Sequence, residues 1–286
     1  MLENFISPID ATAVTRLEAV GVEIVGRAEM EEFGFILTDT VNVHEAVDFV
    51  VNGKADFALC NDYTGAISHV AAERGMYYIH PTYGTVSRYG LIPAVTSMDQ
   101  IGIVCRSPEV GFHALEIIAG YDPKDGVMLP EKPSENFESP PQIRKTELEP
   151  KYSEIYNQIM QVLCSAELSN NISRYDGIKF GYRAKDYNGL QELYIKSRTE
   201  AFGPDIKLAA ILGAMVLSQD NYTRYYDKAM RLRRMIKDSL EFEKYDVIVT
   251  KCPILSRLCG LPSLATPGNV YIADAGREDI LKAVCL

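Results

Sequence analysis

Two hydrophobic spacings alternate along this chain, and the alternation predicts a layered α/β fold. Val14, Leu17 and Val20 lie three residues apart, the spacing of one helix face. Asp10 precedes them as an N-cap, and Gly21 stops the helix before Val22-Glu23-Ile24-Val25, which reads as a strand. A helix over 43–51 leads through Asn52 and Gly53 into a strand over 56–60. Residues 108–119 set Val110, Leu115 and Ile118 around the inner face of another helix. Further helices are expected over 152–165, 189–201, 221–243 and 277–284, with a strand over 246–250. Between 121 and 148 proline and charge replace the periodic pattern, so this stretch reads as a linker within a single domain spanning 1–286.

Composition narrows the function classes. The chain has 286 residues, 47% of them hydrophobic, enough to bury a large core. Its 39 acidic and 29 basic residues leave a net charge of −10, a field that repels phosphate backbones, so no direct nucleic-acid partner is expected. The basic run over 224–237 has Lys228, Arg231, Arg233 and Arg234 among apolar positions and reads as the solvated face of a helix. Six cysteines, at 60, 105, 164, 252, 259 and 285, form no CxxC pair and no His/Cys metal spacing. No phosphate-loop or dinucleotide signature occurs, so neither a metal nor a cofactor is expected. The start of the chain lacks the pattern of a secretory signal, and no apolar run reaches the roughly 18 residues of a membrane span. The expectation is a cytoplasmic protein with reduced thiols and no membrane partner.

The run from Ala55 to Asp99 carries the chemistry. Ala55-Asp56-Phe57-Ala58-Leu59, Asp62, Pro81-Thr82-Tyr83-Gly84 and Val86-Ser87-Arg88-Tyr89-Gly90-Leu91 stand in order and spacing. This run resembles the amidase-signature enzymes, whose stretch reads ADFALGSDTGGSIRQPA followed by PTYGRVSRYGL. Leu2-Glu3-Asn4-Phe5, Ile117–Asp125 and Ser173-Arg174-Tyr175-Asp176-Gly177 narrow the resemblance to the glutamyl-tRNA(Gln) amidotransferase A-subunit branch. The resemblance implies a mixed β-sheet core covered by helices on both faces, lacking the family's N-terminal part and some internal segments.

It also implies a triad of lysine, cis-serine and nucleophilic serine, in which the lysine acts through the cis-serine to activate a weak hydroxyl. In the shared register the nucleophile falls on Ala66 and the cis-serine on Asn42, while the family's lysine lies upstream of the segment matching Leu2–Phe5. The catalytic positions are therefore read as degenerate, with no catalytic residue assigned. Asp62, Thr64 and Gly65 beside Ala66 are the expected substrate-binding residues, joined by Arg174, whose family counterpart binds the substrate carboxylate. Arg174 reads equally as a salt-bridge partner of a nearby carboxylate. Ser68, Thr64, Tyr63 and Cys60 are the hydroxyls and thiol near the lost nucleophile, with His44 and His69 as bases within sequence reach; ordinary surface or packing roles are the simpler reading of both histidines.

The resulting expectation is a catalytically degenerate homologue, a pseudoenzyme that binds a small amide or amino acid or scaffolds a protein partner. Surface uncovered by deleted segments would serve such a partner, or self-association. The alternative is an active amidase or glutamine amidotransferase, using a substituted nucleophile or a residue from a partner chain.

Overall fold

A computed structural model describes residues 1–2, 5–37, 44–130, 143–148 and 153–285. Helices α1 (Thr12–Ala19) and α2 (Glu45–Val51) precede strand β1 (Phe57–Asn61), helix α3 (Ala66–Glu73), strands β2 (Tyr77–His80) and β3 (Ile101–Cys105), and helix α4 (Pro108–Ile118). Strand β4 (Lys145–Glu147) is followed by helices α5 (Ser153–Asn171), α6 (Gly189–Ala201), α7 (Pro204–Leu217) and α8 (Lys228–Asp238). Strand β5 (Val247–Thr250), helix α9 (Ile254–Cys259), strands β6 (Ser263–Ala265) and β7 (Val270–Ala273), and helix α10 (Glu278–Val284) complete the order.

The strands form one mixed sheet in the order β1-β3-β2-β6-β7-β5-β4, antiparallel except for the parallel β4–β5 pair. Side chains alternate between its faces, as the pleat requires. Tyr78, Val104, Ile248 and Ile272 enter a core built with α2, α5, α7 and α9. Their neighbours Ile79, Ile103, Val247 and Ala273 enter a second core with α1, α4 and α10. Helices therefore cover both faces, as expected. In α4, Ser107 accepts the Val110 amide and Pro108 opens the helix, which fixes the start that periodicity placed there.

Several local expectations change. Asp10 does not cap α1: the N-cap is Ala11, and the helix start is held from outside by Thr12 Oγ1 donating to Asp122 Oδ2 at 2.6 Å and Thr12 N to Tyr89 O at 3.1 Å. Residues 22–25 form no strand, because they run outside the sheet with Ile24 and Val25 exposed. A strand without a partner leaves its ladder unmade. The linker contributes β4, which gains its ladder only by lying beside β5, 102 residues away in the Arg144–Asp246 contact that opens the pair. Of the helix expected over 221–243, α8 is the regular part, preceded by a π-helical turn over Thr223–Asp227. Two of its cations are matched on the surface, Arg231 by Asp227 and Arg234 by Asp238, both at 2.7 Å, while Arg233 Nε donates inward to Leu258 O at 2.6 Å.

Candidate functional site

The site begins at the end of β1. Leaving the sheet after Asn61, the chain makes a tight turn and enters α3 at Ala66. Gly65 makes the turn with φ +80°, and a Cβ there would sit 2.4 Å from Pro253 Cγ, so both the conformation and the close approach require glycine. Asp62 closes the turn from below: Oδ1 accepts Ile67 N at 3.2 Å and Oδ2 accepts Ser68 N at 3.1 Å. A carboxylate at a helix N-terminus satisfies otherwise unpaired amides and complements the helix dipole.

Asp62 is itself buried and paired. Arg257, from α9, donates through Nη2 to Asp62 Oδ2 and through Nε to the Asp62 carbonyl, both at 2.9 Å. Its Nη1 reaches Pro253 O at 2.8 Å, and the guanidinium stacks 5.3 Å over the Tyr78 ring. The same short helix that presses Pro253 on Gly65 thus anchors the charge that holds α3. Position 68, where the resembling stretch carries arginine, is serine here, and the buried cation at Asp62 comes from 195 residues further along.

Two cavities meet at this turn, and Ile36, Thr64 and Ala66 line both. The larger, about 420 Å³, has an apolar floor from Phe35, Leu37, Val70, Met160 and Ile254. Its polar lining comes from Thr64, His69 and Glu73 on the α3 side and from Asn157 and Gln161 on α5. The smaller, about 80 Å³, is lined in part by Glu29, His44, Asn61 and Asp62. On α3, His69 Nε2 lies 3.2 Å from Glu73 Oε1, a pair one helical turn apart on the rim of the larger cavity.

The structure separates the residues near Ala66, the position that the resemblance assigns to the nucleophile. Ser68 is fully buried, its Oγ donating to Gly65 O at 2.7 Å. Burial pushes the Cys60 thiol up to about 12, aided by the Asp62 charge. Burial and the neighbouring Asp99 carboxylate, which accepts the Tyr63 hydroxyl, raise Tyr63 well above the usual phenol range. None of these three presents an ionisable or attacking group to a ligand near neutral pH. Thr64 is the one of the four that lines both cavities.

Of the residues singled out from sequence, Asp62, Thr64, Gly65 and Ala66 come together in one turn. Asn42 lies outside the described residues. Arg174 lines neither cavity: its Nε donates to Asn171 O at 2.7 Å and its Nη2 to Asn171 Oδ1 at 2.5 Å. Asn171 in turn donates to Ala94 O at 2.9 Å. His44 lines the smaller cavity and His69 the larger, with side chains 37% and 67% exposed, so both also sit at the surface. Arg257 and the α5 pair Asn157 and Gln161 escaped the sequence reading; the i, i+4 spacing of the latter was visible, but not the cavity it faces.

The amidase family model matches residues 48–149 and 142–260. The chain belongs to the amidase family. This amidase-family chain is 32% identical to the glutamyl-tRNA(Gln) amidotransferase A-subunit of Lachnoclostridium phytofermentans, over 96% of its own length and 67% of that protein. It is 30% identical to the A-subunit of Wolinella succinogenes, over 96% and 73%. It therefore spans about two thirds of the length of the curated relatives it matches. Its fold aligns with an amidase family protein from Bacillus anthracis at TM-score 0.72 and 18% identity, covering 99% of this chain and 71% of that one. It also aligns with the glutamyl-tRNA(Gln) amidotransferase A-subunit of Thermotoga maritima, at TM-score 0.66 and 22% identity, covering 98% and 76%. Among the described residues, no helix is long and apolar enough to cross a membrane.

Proposed function

We propose that this chain binds a carboxamide at the N-terminal end of α3 and does not cleave it by the family's serine chemistry. One observation carries the reading: at the wall between the two cavities, the position matching the nucleophile is the methyl of Ala66, which no base can activate. The turn around it is nevertheless held by the buried Asp62–Arg257 pair and by Pro253 on Gly65. A site that keeps its scaffold and cavity retains the means to bind a ligand after losing the attacking group. Relatedness to the amidotransferase proteins supports an amide as that ligand. Because those relatives are subunits by name, a protein partner belongs to the same proposal, as does a cytoplasmic location, supported by six free cysteines.

A second reading, amide hydrolysis with Thr64 as the nucleophile, is favoured by family membership and by the His69–Glu73 pair on the same cavity as the Thr64 hydroxyl. There His69 would take the hydroxyl proton and Glu73 would orient the imidazole. Ammonia release from glutamine, asparagine and pentanamide separates the two readings, run on the wild type, Thr64→Val and His69→Gln. The expected result is no ammonia from any amide, with pentanamide bound when the same proteins are titrated calorimetrically. Release by the wild type that is lost in Thr64→Val would replace the first reading with the second. Failure of every amide to bind would sink both.

A further inference from the structure

We infer that the larger cavity takes an amide that carries an amine and no carboxylate, with Glu73 as the residue that selects it. The inference rests on the reading of this cavity as an amide site. Among the described residues no lysine or arginine lines either cavity, and the charged side chain on the rim of the larger one is the Glu73 carboxylate, beside His69. A carboxylate drawn out of water needs a cation or a converging set of N–H donors. Arg174, the cation expected for that task, is spent on Asn171 away from both cavities. An α-amino acid such as glutamine would therefore bring its carboxylate to a wall that offers a like charge.

The remaining lining describes a different ligand. Asn157 and Gln161 lie one turn apart on α5, and each side-chain amide offers both donor and acceptor, matching a carboxamide group. Phe35, Leu37, Val70 and Met160 suit a short apolar chain. Glu73 Oε1 faces His69 Nε2 at 3.2 Å, and its side chain, 64% exposed, can be reached by an ammonium at the rim.

The test uses three small probes by isothermal titration at pH 7: 5-aminopentanamide, pentanamide and glutamine, against the full chain and its Glu73→Gln variant. Glu73 is 64% exposed in its side chain, so the variant folds like the parent. The expected order is 5-aminopentanamide tightest, pentanamide weaker and glutamine weakest. Glu73→Gln should weaken 5-aminopentanamide about threefold to fivefold, the effect of one partly exposed ion pair, and leave pentanamide unchanged. Glutamine binding as tightly as pentanamide, or an unchanged affinity for 5-aminopentanamide in the variant, overturns the inference and leaves the amide site standing. No binding by any probe overturns the amide site itself, and this inference with it.

Discussion

Replacing Arg257 with methionine tests whether the turn that builds the site is held from the far end of the chain. The side chains of Arg257 and Asp62 are 1% and 2% exposed. The substitution keeps much of the aliphatic volume against Tyr78 and removes every guanidinium contact. Asp62 is then a buried carboxylate with the Ile67 and Ser68 amides as its partners among the described residues. Removing one member of a buried pair costs about 3–5 kcal/mol, largely because the other charge stays behind. The two amides still solvate part of Asp62, which sets the expectation near the lower end, about 3 kcal/mol. Urea unfolding followed by circular dichroism measures it directly. A second variant, Arg257→Met with Asp62→Asn, removes the stranded charge and should recover about 1–2 kcal/mol of the loss. If Arg257→Met lies within about 1 kcal/mol of the wild type, or the double variant is no more stable than the single one, the pair does not hold α3 and the account of the site scaffold is wrong.

Two further outcomes are expected. Arg88 grips Asp125 in a fork, Nη2 to Oδ1 at 2.8 Å and Nε to Oδ2 at 2.9 Å, and this contact holds the Asp125 carboxyl down to about 2. Because the folded-state value lies below the unfolded value of about 3.9, the stabilisation is complete above that pH and is lost as pH falls toward 2. Wild type should therefore exceed Arg88→Met in stability at pH 7, with the gap between their urea midpoints closing from about pH 4 downward; a gap that persists unchanged at about pH 2.5 would contradict this. At the α5–α7 contact, a Cβ on Gly213 would sit 2.1 Å from Ser165 O and 2.4 Å from Ser169 Oγ. Gly213→Ala gains about 1 kcal/mol of helix propensity but forces two packed helices apart, so a net loss of about 1–2 kcal/mol in thermal or urea unfolding is expected, and a more stable variant would refute the close contact.

Much of the site was legible along the chain because its parts are local. Asp62, Thr64, Gly65 and Ala66 fall within one short stretch, so a fixed register was enough to bring these candidate site residues into one turn. Helices α4 and α6 followed from periodicity, as did β5, since burial of one face leaves its mark at a regular spacing. That mark says which side of an element is buried and not what lies opposite.

Long-range packing settled the rest. It left 22–25 outside the sheet although their β-branched residues suit a strand, and it made Lys145–Glu147 a strand although its sequence suits a loop, because a ladder exists only where a neighbour supplies the other half. It brought Arg257 to Asp62 across 195 residues and turned Arg174 toward Asn171 instead of the cavity. Residue order alone was enough to single out the turn at Ala66 as the candidate site and to expect an α/β framework around it. Which charges face that place was fixed only on folding, because the reach of a charge depends on distance and burial in three dimensions and leaves no periodic trace in one.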